Sequence, residues 1–154
     1  MTTHKVLCAL DFSAGSQQAL RMAIRLAREQ SAELVLMHVW YVPSTGVGDF
    51  PFPRGMAERI VGDASESLDA AVEEARAEGV AVVTSELVQG IPGWTIIEAA
   101  NRDPQIDLVV VGTHGRTGIA RVLVGSVAEY IVRHSPCTVL VARSCGEHRT
   151  SDAR

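Results

Sequence analysis

Five short apolar runs punctuate the chain, and stretches of helical spacing separate them. Val6 to Leu10, Glu33 to Trp40 (ELVLMHVW), Val80 to Val88, Asp107 to Gly112 and Thr138 to Ala142 have the length and composition of strands. The first, second and fourth are continuous enough to be buried on both faces. Behind Ser13 or Ser16, either of which can cap a helix, Leu20, Ala23 or Ile24, and Ala27 recur at helical spacing. Met56, Ile60, Ala64, Leu68, Ala71 and Ala75 do the same through Met56 to Glu78. Gly90 to Gly93 reads as a turn, Trp94 to Asn101 as a short helix stopped by Asp103-Pro104, and Ser126 to His134 as the last helix. Apolar strands alternating with helices require right-handed crossovers and cover on both faces, so the pattern predicts a doubly wound, five-stranded parallel α/β sheet.

Length and composition set this pattern in one domain: 154 residues, 47% hydrophobic and 21% charged, with a core over 5–143 and a polar, frayed tail over 144–154. Disordered and collagen-like classes are excluded. No uncharged run reaches the ~18 residues of a membrane span, and the first residues lack a signal-peptide pattern, so a soluble cytoplasmic protein without a membrane partner is expected. A formal charge of -4 argues against a dedicated nucleic-acid binder. The charge is uneven: seven acids face two arginines between Gly55 and Gly79, whereas six arginines face three acids from Gly112 onward. The acidic run reads as a solvated helix face, and the basic end is where an anion would go. Cys8, Cys137 and Cys145 form no C-x-x-C pair and read as reduced thiols, Cys8 in the core.

Ligands of such sheets bind outside the carboxyl ends of the strands, where strand order reverses. The loops there hold Asp11, Val39 to Tyr41, and Gly112-Thr-His-Gly115-Arg-Thr-Gly118, followed by Gly125-Ser126 at the start of an apolar helical pattern. Gly-x-x-Gly, nine residues, then Gly-Ser suits polyphosphate: glycines let backbone amides approach oxygens, and a helix N-terminus supplies free N–H groups with a favourable dipole. Gly112 and Gly115 would cradle one phosphate, and Gly125, Ser126 and Val127 another. Neither Gly-Lys-Ser nor Gly-Lys-Thr occurs, and no G-x-G-x-x-G follows the first strand.

The paired glycines, the Gly-Ser, the first-strand end ALDFS and the terminal HSPCTVLVAR together resemble the universal stress protein family, over roughly Lys5 to Arg143. The pattern is that of its ATP-binding branch, on a Rossmann-like sheet of the adenine nucleotide α-hydrolase type. The resemblance implies ATP, or ADP or AMP, held with Mg, with Gly112, His114, Gly115, Gly125, Ser126 and Val127 around phosphates and ribose. It implies further that Asp11 serves the ribose or the metal, that Val39 meets adenine through its backbone, and that Ala9, Val111, Arg116 and Ala128 line the site. Ala9 and Ala128 stand where some members carry a proline and a hydroxyl residue; the latter change removes one phosphate hydrogen bond, about 0.5–1.5 kcal/mol. Thr138 stands where the family often has proline. The resemblance also implies a homodimer around the last strand through Val139, Leu140 and Val141, whose valine-rich edge invites pairing.

Each residue also has a purely structural explanation. Gly112 and Gly115 could permit a tight turn, Ser126 could cap its helix, and Asp11 could bond loop amides. His114, Arg116 and Arg121 could be solvated, and His38 within its apolar strand reads as a satisfied core histidine. The expected function is nucleotide-dependent regulation of an unidentified protein partner in stress response, not an enzyme, with slow hydrolysis at most, because Asp11 is the one obvious carboxylate among the site loops. The alternatives are an interaction module with an empty site, and a small-molecule enzyme on the same sheet, for which neither G-x-S-x-G nor S-G-G-x-D-S is present.

Overall fold

The computed structural model describes residues 4–41, 53, 55–113 and 124–143. The chain runs β1 (Lys5–Ala9), α1 (Ala14–Gln30), β2 (Glu33–Trp40), α2 (Met56–Ala77), β3 (Val83–Gln89), α3 (Pro92–Arg102), β4 (Ile106–Gly112), α4 (Ser126–His134) and β5 (Thr138–Ala142). The strands form one parallel sheet in the order β3-β2-β1-β4-β5. Successive right-handed crossovers run one way from β1 to β3 and the other way from β4 to β5, so α1 and α2 cover one face and α3 and α4 the other. Each face has its own core. Val6, Cys8, Leu34, Leu36 and Val110 meet Leu20, Ile24, Leu68 and Val72 on one side. On the other, Leu7, Val35, Met37, Val109 and Val111 meet Ile96, Ile97 and Ile131. Alternate residues of one strand thus fill both cores, which is why the central strands read as unbroken apolar runs.

Two boundaries differ from expectation for identifiable reasons. The third strand begins at Val83 instead of Val80, because Gly79 (φ 95°) and Val80 close α2: Gly79 N–H donates to the Arg76 carbonyl and Val80 N–H to that of Ala75. This is the paired-bond stop of a glycine-ended helix, and the buried Val80 is its apolar contact. Helix α3 begins at Pro92 and not at Trp94, since proline suits the first helical position. Gly93 therefore lies in the helix, where a Cβ would come within 2.9 Å of the Tyr130 ring on α4. Strand β1 ends at Ala9, although Leu10 N–H still donates to the Met37 carbonyl at 2.8 Å.

Cys8 is fully buried and the free Cys137 half-buried, in line with reduced thiols. No helix among the described residues is long and apolar enough to cross a membrane. The Tyr41 to Arg54 loop, apart from Tyr41 and Pro53, and the tail after Arg143, which includes Cys145, lie outside the described residues.

Candidate functional site

Strand order reverses between β1 and β4, so the loops leaving these neighbours diverge to opposite faces and open a crevice at their carboxyl ends. On the β1 side, Asp11 Oδ1 accepts from the Ser13 backbone N–H at 2.9 Å and from the Ser13 hydroxyl. The same hydroxyl oxygen accepts from Ser16 N–H at 3.2 Å and caps α1, while Ser16 Oγ donates to the Ser13 carbonyl. Within this turn Phe12 takes φ 63°, a left-handed conformation that is costly for a bulky residue, about 1–3 kcal/mol. Asp11 thus serves the loop amides, as its structural explanation requires.

On the β4 side, Gly112 touches α1. A Cβ there would lie 2.6 Å from the Gly15 carbonyl carbon, 2.7 Å from its oxygen and 2.9 Å from Ser16 N. Glycine at 112 therefore has a packing reason independent of any phosphate: it lets β4 and the first turn of α1 meet backbone to backbone. The buried Thr113 then connects three elements, its N–H donating to the Ala142 carbonyl of β5 and its carbonyl accepting from Gly125 N–H. That last bond fixes the start of α4 beside the end of β4.

Gly125 is the N-cap of α4, in an extended conformation (φ -60°, ψ 157°), with no side chain capping the helix. The first intrahelical donor is Glu129 N–H, to the Gly125 carbonyl, so the N–H groups of Ser126, Val127 and Ala128 are the ones a helix presents to an anion at its positive end. The Ala128 methyl faces inward, 2% exposed in the α4 core. At position 128 only the backbone N–H, and not the side chain, is turned to this end of the helix.

Val39 presents backbone at this end of the sheet. Met37 C=O faces β1 and Trp40 C=O faces β3, where it accepts from Gly90 N–H at 3.0 Å. By the alternation of a strand, the Val39 groups face the β1 side, past the point where that strand has turned into α1. Ala9 and Val111 lie one level lower, packed into the α3/α4 core beneath the crevice. Tyr41, Ile91, Trp94, Val124 and Val127 follow β2, β3 or precede and open α3 and α4, and all are exposed apolar side chains at this end of the sheet. His114, Gly115, Arg116 and Arg121 lie outside the described residues.

The sequence gives no warning of the left-handed Phe12, nor of Thr113 as a junction; a glycine or an Asn at 12 would have been the usual signal. His38 is buried, as expected, with its ring nitrogen Nδ1 2.6 Å from the Leu10 carbonyl. An open groove of about 450 Å³ between α2 and β3, lined by Asp69, Glu73, Arg76 and Thr84 among others, lies at the sheet's other end and joins none of these residues.

Comparison with known proteins bears on this arrangement. Residues 2–143 match the universal stress protein family. A universal stress protein of Methanocaldococcus jannaschii is 34% identical over 140 residues, covering 90% of this chain and 81% of its own length. Among solved structures, the universal stress protein UspA from Lactobacillus plantarum superposes with a TM-score of 0.76 at 26% identity, over 93% of this chain and 99% of that one. A universal stress protein in complex with cAMP does so at 0.69 and 26%, over 93% and 98%.

Proposed function

The chain belongs to the universal stress protein family, and from that premise we propose that it binds an adenine nucleotide, ATP or the related ADP and AMP with Mg, at the carboxyl ends of β1 and β4. Occupancy would regulate a protein partner in the stress response. The observation that carries this reading is the uncapped start of α4, held beside the end of β4 by the Gly125 to Thr113 bond. Three backbone donors at a helix N-terminus suit a phosphate group. Val39 backbone and the exposed apolar side chains at this end suit a flat base, and a relative of 26% identity has been solved with cAMP, an adenine nucleotide.

The residues present fit the metal modestly. Mg commonly takes one or two carboxylates and completes its shell with nucleotide phosphates and water, so Asp11 is sufficient on the protein side. Among the described residues no group of three His, Cys, Asp or Glu side chains is disposed to hold a metal by itself. Binding, rather than turnover, is the role such a site supports, with slow hydrolysis at most. Association through β5 accompanies it: β5 is one of the two edge strands, and Val139, Leu140 and Val141 are only half-buried.

The second reading, an interaction module with an empty site, is favoured by Asp11 and Gly112, both accounted for by local structure. Acid extraction of freshly purified protein, with chromatographic identification of what is released, and calorimetric titration of stripped protein with ATP and Mg separate the two. Near-stoichiometric adenine nucleotide, with binding lost in Gly125→Val, supports the nucleotide reading; no nucleotide and no heat support the empty module.

A further inference from the structure

Leu10 lies between the end of β1 and the Asp11 turn, and it is held from one direction, by β2. Its N–H donates to the Met37 carbonyl at 2.8 Å, and its carbonyl lies 2.6 Å from Nδ1 of the next β2 residue, His38. A carbonyl only accepts, so Nδ1 carries the proton and donates. His38 continues the Leu34 and Leu36 side of β2 toward α1 and is 7% exposed. The Phe12 ring packs on its imidazole, centroids 4.7 Å apart and planes tilted by 35°. The same imidazole therefore grips the residue before Asp11 by a hydrogen bond and the residue after it by ring contact.

Phe12 is also the residue at φ 63°, and a left-handed conformation at a bulky residue persists only where its surroundings over-determine it. We infer that His38 is a positioning residue for the nucleotide site: it fixes the Leu10-to-Phe12 turn, and through that turn the Asp11 carboxylate. The inference deepens the nucleotide reading and rests on it. Apolar packing alone does not require a histidine at 38, since leucines fill the corresponding places on this strand, Leu34 and Leu36. What a histidine adds is a donor aimed at a carbonyl that β1 no longer pairs.

The test is a cycle of variants titrated calorimetrically with ATP and Mg, each checked for cooperative thermal unfolding. His38→Leu keeps an apolar filling and loses the donor; its Kd rises about tenfold, the lower end of what loss of an orienting partner behind a binding group costs. His38→Asn places an amide N–H near the position of Nδ1 and restores Kd to within about threefold of wild type. Because His38 acts through Asp11, the double variant Asp11→Ala/His38→Leu binds no more weakly than Asp11→Ala alone. A His38→Leu protein that binds as wild type, losses that multiply in the double variant, or no rescue by asparagine each overturn the inference. So does an Asp11→Ala protein with wild-type affinity. Wild-type protein that takes up no nucleotide is distinguishable from all of these, and removes the parent reading together with this one.

Discussion

Substituting Gly112 with alanine puts a methyl carbon 2.6–2.9 Å from three backbone atoms of Gly15 and Ser16. Ordinary carbon contacts lie at about 3.5–4.0 Å, so roughly 1 Å of separation has to be found. Strand β4 cannot supply it, because it is paired with β1 on one side and with β5 on the other, Gly112 itself standing opposite Ala142. Nor is a flexible side chain in the way. The first turn of α1 must move, against the Ser13 cap and the Asp11 turn that hold it. Overpacking of this kind costs about 1–3 kcal/mol, and for a chain of this size each kcal/mol lowers Tm by about 2–4 °C. Urea unfolding of Gly112→Ala should show a lower midpoint with an unchanged slope. Gly125→Ala is the comparison: its φ of -60° suits any residue, so no backbone strain is expected, and alanine as the poorer cap costs about 1 kcal/mol or less. Equal midpoints for Gly112→Ala and wild type would refute the packing argument and return Gly112 to the phosphate cradle alone.

Asp103 is held below the usual carboxylate range first by its hydrogen bond from Lys5 at 2.8 Å and next by the Gln105 N–H. A lowered folded value stabilises above the unfolded pKa of about 3.9, and that stability is lost as pH falls through the folded value; acid titration of urea midpoints should therefore be flatter in Asp103→Asn. Lys5 is raised by the same bond, so its contribution is present below about pH 10.4 and lost as pH rises through its folded value. Burial pushes the Cys8 thiol far up, and it should resist iodoacetamide in the native protein at neutral pH but react in urea; native-state labelling of Cys8, read by mass spectrometry, would contradict its placement. Ser13→Ala loses the α1 cap and should cost about 1 kcal/mol in urea unfolding, with no change in slope. Val141→Glu should convert a dimer to monomer in light scattering; an unchanged mass would end the β5-edge proposal.

The architecture was legible because its strongest signal is physical and local. A strand buried on both faces is apolar at nearly every position, as β2 is between Leu34 and Val39, and Glu33–Trp40 and the edge strand Thr138–Ala142 both run to the boundaries the apolar runs set. Prediction slipped where a residue served two elements. Val80 looks like strand but closes α2; Gly93 looks like a turn but lies inside α3, where the Tyr130 ring leaves no room for a side chain. The first contact is a local helix stop, whereas Tyr130 is far from Gly93 in sequence, and periodicity within a window cannot register a contact between α3 and α4.

The site was legible as a place more than as a set of roles. Counting glycines in Gly-x-x-Gly-x9-Gly-Ser treats 112 and 125 as equivalents, yet their backbones do different work: 112 lets β4 meet α1, and 125 leaves the start of α4 without a side-chain cap. Both are needed for one crevice, since close approach at 112 seats the Asp11 turn beside the β4 end while the Gly125 bond to Thr113 brings the α4 amides to the same point. Mutational loss of ligand at 112 is therefore ambiguous, because it follows from a displaced α1 as readily as from a lost phosphate contact. A change at the α4 end that leaves stability intact is the informative one. Ser126→Pro removes one N–H at the first helical position, which tolerates proline. It should leave the unfolding midpoint within about 0.5 kcal/mol of wild type while weakening ATP binding by about tenfold. Unchanged affinity in that variant would mean that Ser126 does not hold the phosphates, and the interaction-module reading would then be the stronger one.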